Sequence, residues 1–319
     1  MQAMDQFSLG KRKVAIIGVG FVGASIAYAL TIRNLAREIV LIDVDRKKTE
    51  GEALDIQHGI PYMGISSVYA GEYRDCTDCD LIIITAGRHR MPGESRLHLI
   101  SDNVKIMKNV VESIQKHYTR GVLMIVSNPV DILTSLCARW MQLPNGRVLG
   151  TGCILDTSRF VRCIADYTQL NTEVVKGFIV GEHGDSQVPI WSRLSIAGFP
   201  MSEYCENVGL EWNEDVRQNI AGKVKSMGAE IISGKGKTHY GIATCVCSLA
   251  DAILNQRLTI ASVSTPLEGE YGVKNISLSL PSIIGVNGVE RRLRERWSDE
   301  EFNSFKANAE KLKQIIADL

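Results

Sequence analysis

The sequence lacks an excess of either charge, a long apolar run and any internal repeat. Its 319 residues carry 36 lysines and arginines against 36 aspartates and glutamates, so the formal net charge is zero. This balance provides no bulk attraction to nucleic acid or to an anionic membrane, and we expect neither as a partner. No apolar stretch reaches the roughly 20 residues that span a bilayer. Segment 1–13 is polar, and we expect no secretory signal in it.

Patterns of metal ligands are also scarce. The six histidines are not spaced as ligands, and no His-Glu-x-x-His occurs. Among the eight cysteines, Cys76 and Cys79 form a C-x-x-C pair, but no second pair or nearby histidine accompanies it. We therefore predict no metal site and eight free structural cysteines, which is typical of a protein in the reducing cytoplasm.

The first half of the chain alternates short β-branched runs with helical patterns. Continuous apolar strands of this kind indicate a parallel sheet with both faces covered by helices, and hence the α/β class. The predicted strands are 13–19, 39–43, 81–85, 122–126 and 147–150, and the predicted helices are 21–33, 46–57, 98–117 and 130–141.

The second half mixes longer helices with strand patterns that suit an antiparallel sheet. We predict a dinucleotide-binding domain over 1–150 and an α+β substrate domain over 151–319. The predicted helices of the second half are 155–167, 212–232, 239–257 and 298–318, and its predicted strands are 174–180, 188–196, 258–263 and 273–280.

A Gly-x-Gly-x-x-Gly motif follows the first predicted strand and opens the first predicted helix. Gly18 permits a tight turn, Gly20 permits a close approach of the backbone to a pyrophosphate, and Gly23 permits close packing of helix on strand. Asp43 follows the next strand and suits the adenosine ribose hydroxyls. Because a carboxylate repels a 2′-phosphate, the motif predicts NAD rather than NADP.

A second motif supplies groups that can move a proton. His183 lies in Gly-Glu-His-Gly-Asp, and Asp156 precedes Arg159 by three residues in Leu-Asp-Thr-Ser-Arg. Histidine titrates near neutral pH, a carboxylate orients it and raises its pKa, and arginine grips a carboxylate with a planar fork. Together with the dinucleotide motif, these residues predict hydride and proton transfer on a small acid.

These motifs resemble the lactate/malate dehydrogenase family, and they occur in the order of that family along most of the chain. The resemblance implies an N-terminal Rossmann domain, a C-terminal α+β substrate domain and a homotetramer. The similar segments are 14–23, 41–45, 51–55, 85–87, 92–96, 127–131, 155–159 and 181–185.

The resemblance also implies residue roles. His183 is expected to donate and accept the proton, Asp156 to orient it, and Arg159 to anchor the substrate carboxylate. Arg96, on a loop, is expected to polarise the reacting carbonyl, and Asn128 to bond near both nicotinamide and substrate oxygen. The expected cofactor contacts are Gly18, Gly20, Val22, Gly23, Asp43, Lys48, Tyr73, Gly87, Val126 and Asn128.

Three further positions indicate which acid is the substrate, but they favour different acids. Arg90 matches a position where malate-type members carry arginine, which favours a second carboxylate as in oxaloacetate. Glu94 and Thr238 match lactate-type members, some of which in bacteria also carry arginine at the first position. We favour pyruvate and lactate, with oxaloacetate or another 2-oxo acid as the alternative.

One regulatory site of the family departs from its pattern. Where many bacterial members build a fructose 1,6-bisphosphate site from arginine and histidine, this chain has Val161 and Lys176. We therefore expect weak or absent activation by that effector.

Two other classes of protein are less consistent with the sequence. An NAD-dependent glycosidase needs a cysteine–histidine metal site, and its spacing is absent here. A non-catalytic NAD-binding protein is expected to have lost the catalytic residues, which are all present here.

Overall fold

The computed structural model describes residues 12–88 and 96–319, without the side chains of residues 96 and 97. The first half forms a parallel sheet in the strand order β6-β5-β4-β1-β2-β3. The strands are β1 (Lys13–Ile17), β2 (Glu38–Ile42), β3 (Ser67–Ala70), β4 (Leu81–Ile84), β5 (Val122–Ile125) and β6 (Val148–Gly150). The predicted α/β class is confirmed.

Alternate side chains of each strand enter cores on opposite faces of this sheet, as the pleat requires. Ile16 of β1 packs in one core with the helices Phe21–Ile32, Arg46–Met63 and Tyr240–Leu254, whereas Ile17 packs in the other core with the helices Arg96–Gln115 and Val130–Met141. The helices of the first half are α1 (Phe21–Ile32), α2 (Arg46–Met63), α3 (Arg96–Gln115) and α4 (Val130–Met141).

The second half adds five α-helices, three strands of five or more residues and five strands of two residues. The helices are α5 (Ile154–Thr168), α6 (Met201–Val208), α7 (Glu214–Lys235), α8 (Tyr240–Leu254) and α9 (Asp299–Ala317). The short strands are β7 (Val175–Lys176), β8 (Ile179–Val180), β9 (Val188–Pro189), β10 (Ser195–Ile196) and β11 (Phe199–Pro200). The long strands are β12 (Thr259–Glu268), β13 (Lys274–Gly285) and β14 (Gly288–Arg292).

The antiparallel strands β12, β13 and β14 continue the parallel sheet instead of forming a sheet of their own. Ser264 of β12 pairs with Gly150 of β6, which produces one sheet of nine strands. A Cβ atom on Gly150 would lie 2.2 Å from Thr134 Oγ1, so glycine is required where the two halves join. The antiparallel pairing was predicted, but this junction was not.

Some elements differ from those predicted from the local sequence, because tertiary packing determines the structure there. The predicted strand 174–180 is divided: β7 pairs with β10, and β8 pairs with β9. Gly177 lies between the two pieces, where a Cβ atom would be 2.9 Å from both Phe160 and Leu194. The helix α2 continues past its predicted end at 57 and includes Pro61. No helix in the described part of the chain is long and apolar enough to cross a membrane.

Candidate active site

The predicted cofactor residues follow the carboxyl ends of neighbouring parallel strands, where open α/β sheets bind their ligands. Gly18 follows β1, Asp43 follows β2, Gly87 lies just beyond β4, and Asn128 lies just beyond β5. The parallel register therefore brings four distant segments of the sequence to one edge of the sheet.

The glycine motif forms a tight turn with open space above it. Gly18 has a φ of +96°, and a Cβ atom on it would lie 2.5 Å from the backbone nitrogen of Ala86. A Cβ atom on Gly23 would lie 2.0 Å from the carbonyl oxygen of Gly18. A Cβ atom on Gly20 would meet nothing within 4 Å, and no side chain caps the helix that begins after it. This open helix N-terminus suits a dinucleotide pyrophosphate.

Asp43 is fixed beside this turn by backbone hydrogen bonds. Its Oδ2 accepts the N–H of Val19 at 2.5 Å, and its Oδ1 accepts the N–H of Asp45 at 3.1 Å. Burial raises the pKa of Tyr73, and the neighbouring Cys76 and Asp43 contribute to the same shift. Tyr73 therefore lies close to the carboxylate of Asp43.

Lys48 and Val22 lie on the helices that begin next to these loops. Lys48 is exposed in the first turn of α2, where its N–H donates to Asp45 at 3.1 Å. Val22 lies in the first turn of α1 and packs against the core beneath the sheet. Val126 also packs against this core, and its N–H donates to Ile84 at the end of β4.

Asn103 joins two of the site loops, although the sequence did not single it out. Its buried Oδ1 accepts the N–H of Arg88 at 2.9 Å, and its Nδ2 donates to the carbonyl oxygen of Asn128 at 2.8 Å. A Cβ atom on Gly87 would lie 3.4 Å from the same side chain. A lone asparagine in a helical pattern gave no signal, because its partners are known only once the strands are aligned.

Asp156 lies at the centre of the second part of the site. It stands in the first turn of α5, one turn before Arg159. Its Oδ2 accepts a hydrogen bond from His183 Nδ1 at 2.5 Å, and its Oδ1 accepts one from Arg159 Nη1 at 3.1 Å. The side chain of Asp156 is only 3% exposed, so the carboxylate is largely shielded from water while serving both partners.

The turn that carries His183 is anchored by another buried carboxylate, that of Asp131. The N–H of His183 donates to Asp131 Oδ2 at 2.8 Å, and Ser264 Oγ donates to Asp131 Oδ1 at 2.6 Å. Burial raises the pKa of Asp131 to about 6, although both hydrogen bonds oppose the shift. Since Asp131 lies only three residues after Asn128, this anchor brings His183 to the end of β5.

The environment of His183 favours its protonated form. Burial alone would lower the pKa of the imidazole, but the charge and the hydrogen bond of Asp156 and the charge of Asp131 outweigh burial. The net effect is a pKa above the ordinary value, despite a small opposing contribution from Arg159. Because Nδ1 is held by Asp156 and Nε2 bonds to none of the described residues, Nε2 is the nitrogen available to a substrate.

The last helix supports the same turn. Asn308 of α9 accepts the N–H of Glu182 at 3.0 Å, and Lys311 of α9 donates to the carboxylate of Glu182 at 3.0 Å. A Cβ atom on Gly181 would lie 3.3 Å from Asn308, so helix and turn are in close contact. Neither residue was singled out from the sequence, because a charged amphipathic helix carries no sign of what it supports.

The segment between α7 and α8 brings Thr238 toward the cofactor helix. Thr238 is half-buried, and the next residue, His239, is buried. His239 Nδ1 lies 2.9 Å from Ser25 Oγ on α1, and His239 Nε2 lies 3.1 Å from Lys235 Nζ. Thr238 is therefore held next to the helix that begins at the glycine motif.

Two predicted substrate residues, Arg90 and Arg96, and the further position Glu94 fall wholly or partly outside the described residues. Arg90 and Glu94 lie outside the described residues, and Arg96 begins α3 with its side chain not described. Within the described ranges, no group of three or more histidine, cysteine, aspartate or glutamate residues is arranged to hold a metal ion. All eight cysteines are free, and seven of them are buried.

Two family comparisons cover nearly the whole chain. Residues 12–150 match the NAD binding domain of lactate/malate dehydrogenase, and residues 153–319 match the alpha/beta C-terminal domain of the same family. The chain is 43% identical over 307 residues to an L-lactate dehydrogenase of Thermoanaerobacter sp. (strain X514), which covers 96% of this chain and 99% of the relative. It is 40% identical over 309 residues to an L-lactate dehydrogenase of Priestia megaterium, covering 97% of both.

Solved structures agree with this similarity. The minor L-lactate dehydrogenase of Enterococcus mundtii in a ligand-bound form superposes with a TM-score of 0.93 at 40% identity, covering 97% of this chain and 98% of that one. The L-lactate dehydrogenase of Clostridium thermocellum superposes with a TM-score of 0.85 at 41% identity, covering 96% and 99%. By its sequence in both halves, its fold and its site geometry, the chain belongs to the lactate/malate dehydrogenase family.

Proposed function

We propose that the protein is an NAD-dependent L-lactate dehydrogenase that interconverts pyruvate and L-lactate. The observation that carries the proposal is the buried Asp156, which holds His183 with one oxygen and Arg159 with the other. A proton carrier and an anion anchor are thereby fixed together, in the half of the chain that follows the cofactor-binding segment. The similar proteins that carry the name L-lactate dehydrogenase support the same activity.

The cofactor is NAD, which supplies or accepts a hydride when it is bound. The open helix N-terminus at Gly20 receives the pyrophosphate, and Asp43 accepts hydrogen bonds from the adenosine ribose. Asn128 would form a hydrogen bond near the nicotinamide of the cofactor. The further residues proposed to bind the cofactor are Gly18, Val22, Gly23, Lys48, Tyr73, Gly87 and Val126.

His183 donates a proton from Nε2 to the oxygen of pyruvate and takes it back from lactate. Asp156 holds the ring by Nδ1 and stabilises the imidazolium, which raises the pKa of His183 above its ordinary value. During pyruvate reduction the imidazolium becomes neutral, and the substrate carbonyl oxygen becomes the hydroxyl of lactate.

Arg159 anchors the substrate carboxylate. Its side chain is 14% exposed, and only Nη1 is engaged by Asp156, which leaves other guanidinium N–H groups for two carboxylate oxygens. Arg96, at the start of α3, is proposed to polarise the reacting carbonyl together with Asn128. This assignment of Arg96 follows the match of its segment to the family pattern.

A second candidate substrate is oxaloacetate, and Arg90 is the residue that favours it. An arginine that faces the substrate without an opposing anion is unfavourable, so Arg90 suits a second carboxylate. We favour pyruvate because Glu94 and Thr238 match the residues that lactate-type members carry at these positions. The L-lactate dehydrogenase relatives at 40–43% identity support the same choice.

The experiment that tests the proposal follows NADH absorbance with pyruvate for the wild-type protein and for His183→Gln. The wild-type protein is expected to oxidise NADH, whereas the variant loses about a hundredfold or more in kcat because it lacks the proton donor. Binding of NADH, followed by quenching of protein fluorescence, stays unchanged in the variant. Equal turnover by the two proteins would contradict the assignment.

We further propose a cytoplasmic homotetramer with domains divided at residue 150. The eight free thiols support the reducing compartment, and the family matches ending at 150 and resuming at 153 support the division. Large exposed apolar side chains on α1 and α2 support burial against other subunits, since such patches are uncommon on monomers. They are Phe21, Tyr28, Ile32, Leu54 and Tyr62. Light scattering coupled to size exclusion tests the subunit number.

A further inference from the structure

A polar pocket lies at the opposite end of the cofactor-binding helix from the glycine motif. It has a volume of about 480 Å³. It is formed where β1 begins and where α1 and α8 end. The lining residues are Arg12, Arg33, Asn34, Leu35, Asp251, Asn255 and Arg257.

The pocket carries more positive than negative charge. Among the described residues, three arginines and one acidic residue, Asp251, line the pocket. Asp251 Oδ2 lies 3.6 Å from Arg33 Nη2 and 3.6 Å from Arg257 Nη1, so one carboxylate is shared at long range by two guanidinium groups. Asp251 also accepts a hydrogen bond from Asn255. Many of the arginine N–H groups around the pocket are therefore not bonded to Asp251.

Arg12 provides a second and independent observation. Its Nε is buried, yet it has no hydrogen-bond partner among the described residues. Arg12 also forms no ion pair with a described side chain, in contrast to the other two arginines. A buried donor without a partner is unfavourable and is uncommon in folded proteins. Arg12 therefore adds to the pocket a positive charge that no described carboxylate offsets by an ion pair.

The arginines are not needed to cap the helices that end here. At the end of α1, Asn34 N–H bonds to Thr31 and Leu35 N–H bonds to Leu30. At the end of α8, Arg257 N–H bonds to Ala252. Backbone groups already satisfy these carbonyl oxygens, so the guanidinium groups remain available to a ligand.

We propose that this pocket is a second binding site, separate from the active site, for a small phosphorylated anion. Arginine forks suit the paired oxygens of a phosphoryl group, and charge-assisted hydrogen bonds of this kind are strong. The pocket lies within the range of volumes that accommodate small ligands. One phosphoryl group placed between Arg12, Arg33 and Arg257 offsets the excess of positive charge around the pocket.

Two helices, α1 and α8, connect the pocket to the active site. The helix α1 begins at the glycine motif and ends at Arg33, and α8 begins next to Thr238 and passes Asp251 near its end. His239 joins the first turns of these helices through Ser25. A ligand that ties the far ends of α1 and α8 together restrains two helices whose other ends carry the glycine motif and follow Thr238.

The test measures binding of inorganic phosphate to the NADH-saturated enzyme by titration calorimetry, with potassium chloride of equal ionic strength as the reference. Saturation with NADH keeps phosphate out of the cofactor site. The Arg33→Gln and Arg257→Gln variants are expected to bind phosphate about tenfold more weakly or worse, as the loss of a charge-assisted hydrogen bond predicts. The matched control is Arg162→Gln, because Arg162 is an exposed arginine on α5 that pairs with Asp166.

The outcomes separate this proposal from the proposed activity. The proposal holds if the wild-type protein and Arg162→Gln bind phosphate equally while both pocket variants lose affinity, whichever acid the enzyme reduces. Equal binding by all four proteins, or heat that chloride reproduces, overturns it. An Arg12→Gln variant gives a further readout: its affinity for phosphate falls while its turnover with pyruvate shows that it is folded.

Discussion

His183 and Asp156 are 27 residues apart in the sequence, yet His183 Nδ1 lies 2.5 Å from Asp156 Oδ2. The contact exists because two separate anchors converge. The first turn of α5 fixes Asp156, and the hydrogen bond from His183 N–H to Asp131 fixes the turn that carries the imidazole. Orientation and a raised pKa for His183 thus come from one pair of carboxylates on different helices.

Replacing Asp156 by asparagine tests this pairing. Asp156→Asn keeps the size of the side chain but removes the charge that raises the pKa of His183. We expect kcat for pyruvate reduction to fall by about a hundredfold or more. Because reduction needs protonated histidine, the upper pH limit of the remaining activity should move to lower pH. A pH–rate profile that keeps the wild-type limit would contradict the role of Asp156.

Replacing Arg159 by lysine separates charge from geometry. Arg159→Lys retains the positive charge but loses the planar fork, so the KM for pyruvate is expected to rise by about tenfold or more. Arg162→Lys is the matched control, because this arginine is exposed one turn further along α5. Steady-state kinetics should show little change for the control. An unchanged KM in Arg159→Lys would place the substrate carboxylate elsewhere.

Two glycines of the cofactor motif should respond differently to alanine. In Gly23→Ala the new Cβ would lie 2.0 Å from the Gly18 carbonyl oxygen, so a loss of about 1–3 kcal/mol in the free energy of unfolding is expected. In Gly20→Ala the new methyl group meets no protein atom within 4 Å, so thermal stability should stay the same while affinity for NADH falls. Denaturation and NADH titration measure both effects, and an unchanged affinity in Gly20→Ala would contradict the proposed pyrophosphate position.

His239 should make part of the stability of the protein sensitive to acid. Burial and then the charge of Lys235 lower the pKa of His239 in the folded protein. The unfolded chain therefore binds a proton at higher pH, and stability falls as the pH drops below the ordinary histidine value of about 6.5. Between pH 7.5 and pH 5.5, Tm should fall less in His239→Gln than in the wild-type protein. Equal falls in the two proteins would refute this account.

Activation by fructose 1,6-bisphosphate should be weak or absent. The position of Val161 carries no charge and packs against the core of the second half, while Lys176 is exposed and supplies a single cation. A bisphosphate therefore lacks the bidentate arginine contact. The KM for pyruvate should stay the same when millimolar effector is added, and a large fall in KM would show that the effector binds by another arrangement.

The cofactor half of the protein could be predicted from the sequence because its signals are local. Strand, glycine turn, helix and Asp43 follow one another within some 30 residues, and each has a specific steric or electrostatic reason. Five of the six strands of this half were predicted close to their observed bounds for a similar reason: their buried runs are continuous. The strand β3 was not predicted, since only Val68 of its four residues is buried.

The supports of the site could not be predicted in the same way. Asn103, Asp131 and Asn308 act through contacts with residues 15 or more positions away, and no local pattern distinguishes them from other polar residues. The prediction of a single strand over 174–180 was wrong for a related reason. The two halves of this segment pair with different strands, and this pairing depends on the close packing at Gly177.

The central claim is that the protein is an L-lactate dehydrogenase, and the most direct measurement compares kcat/KM for pyruvate and for oxaloacetate with NADH. The account predicts a higher value for pyruvate. In Arg90→Gln, the remaining activity with oxaloacetate should collapse while pyruvate is still reduced. A wild-type protein that reduces oxaloacetate with the higher kcat/KM would contradict the claim and identify Arg90 as the residue that selects a dicarboxylic acid.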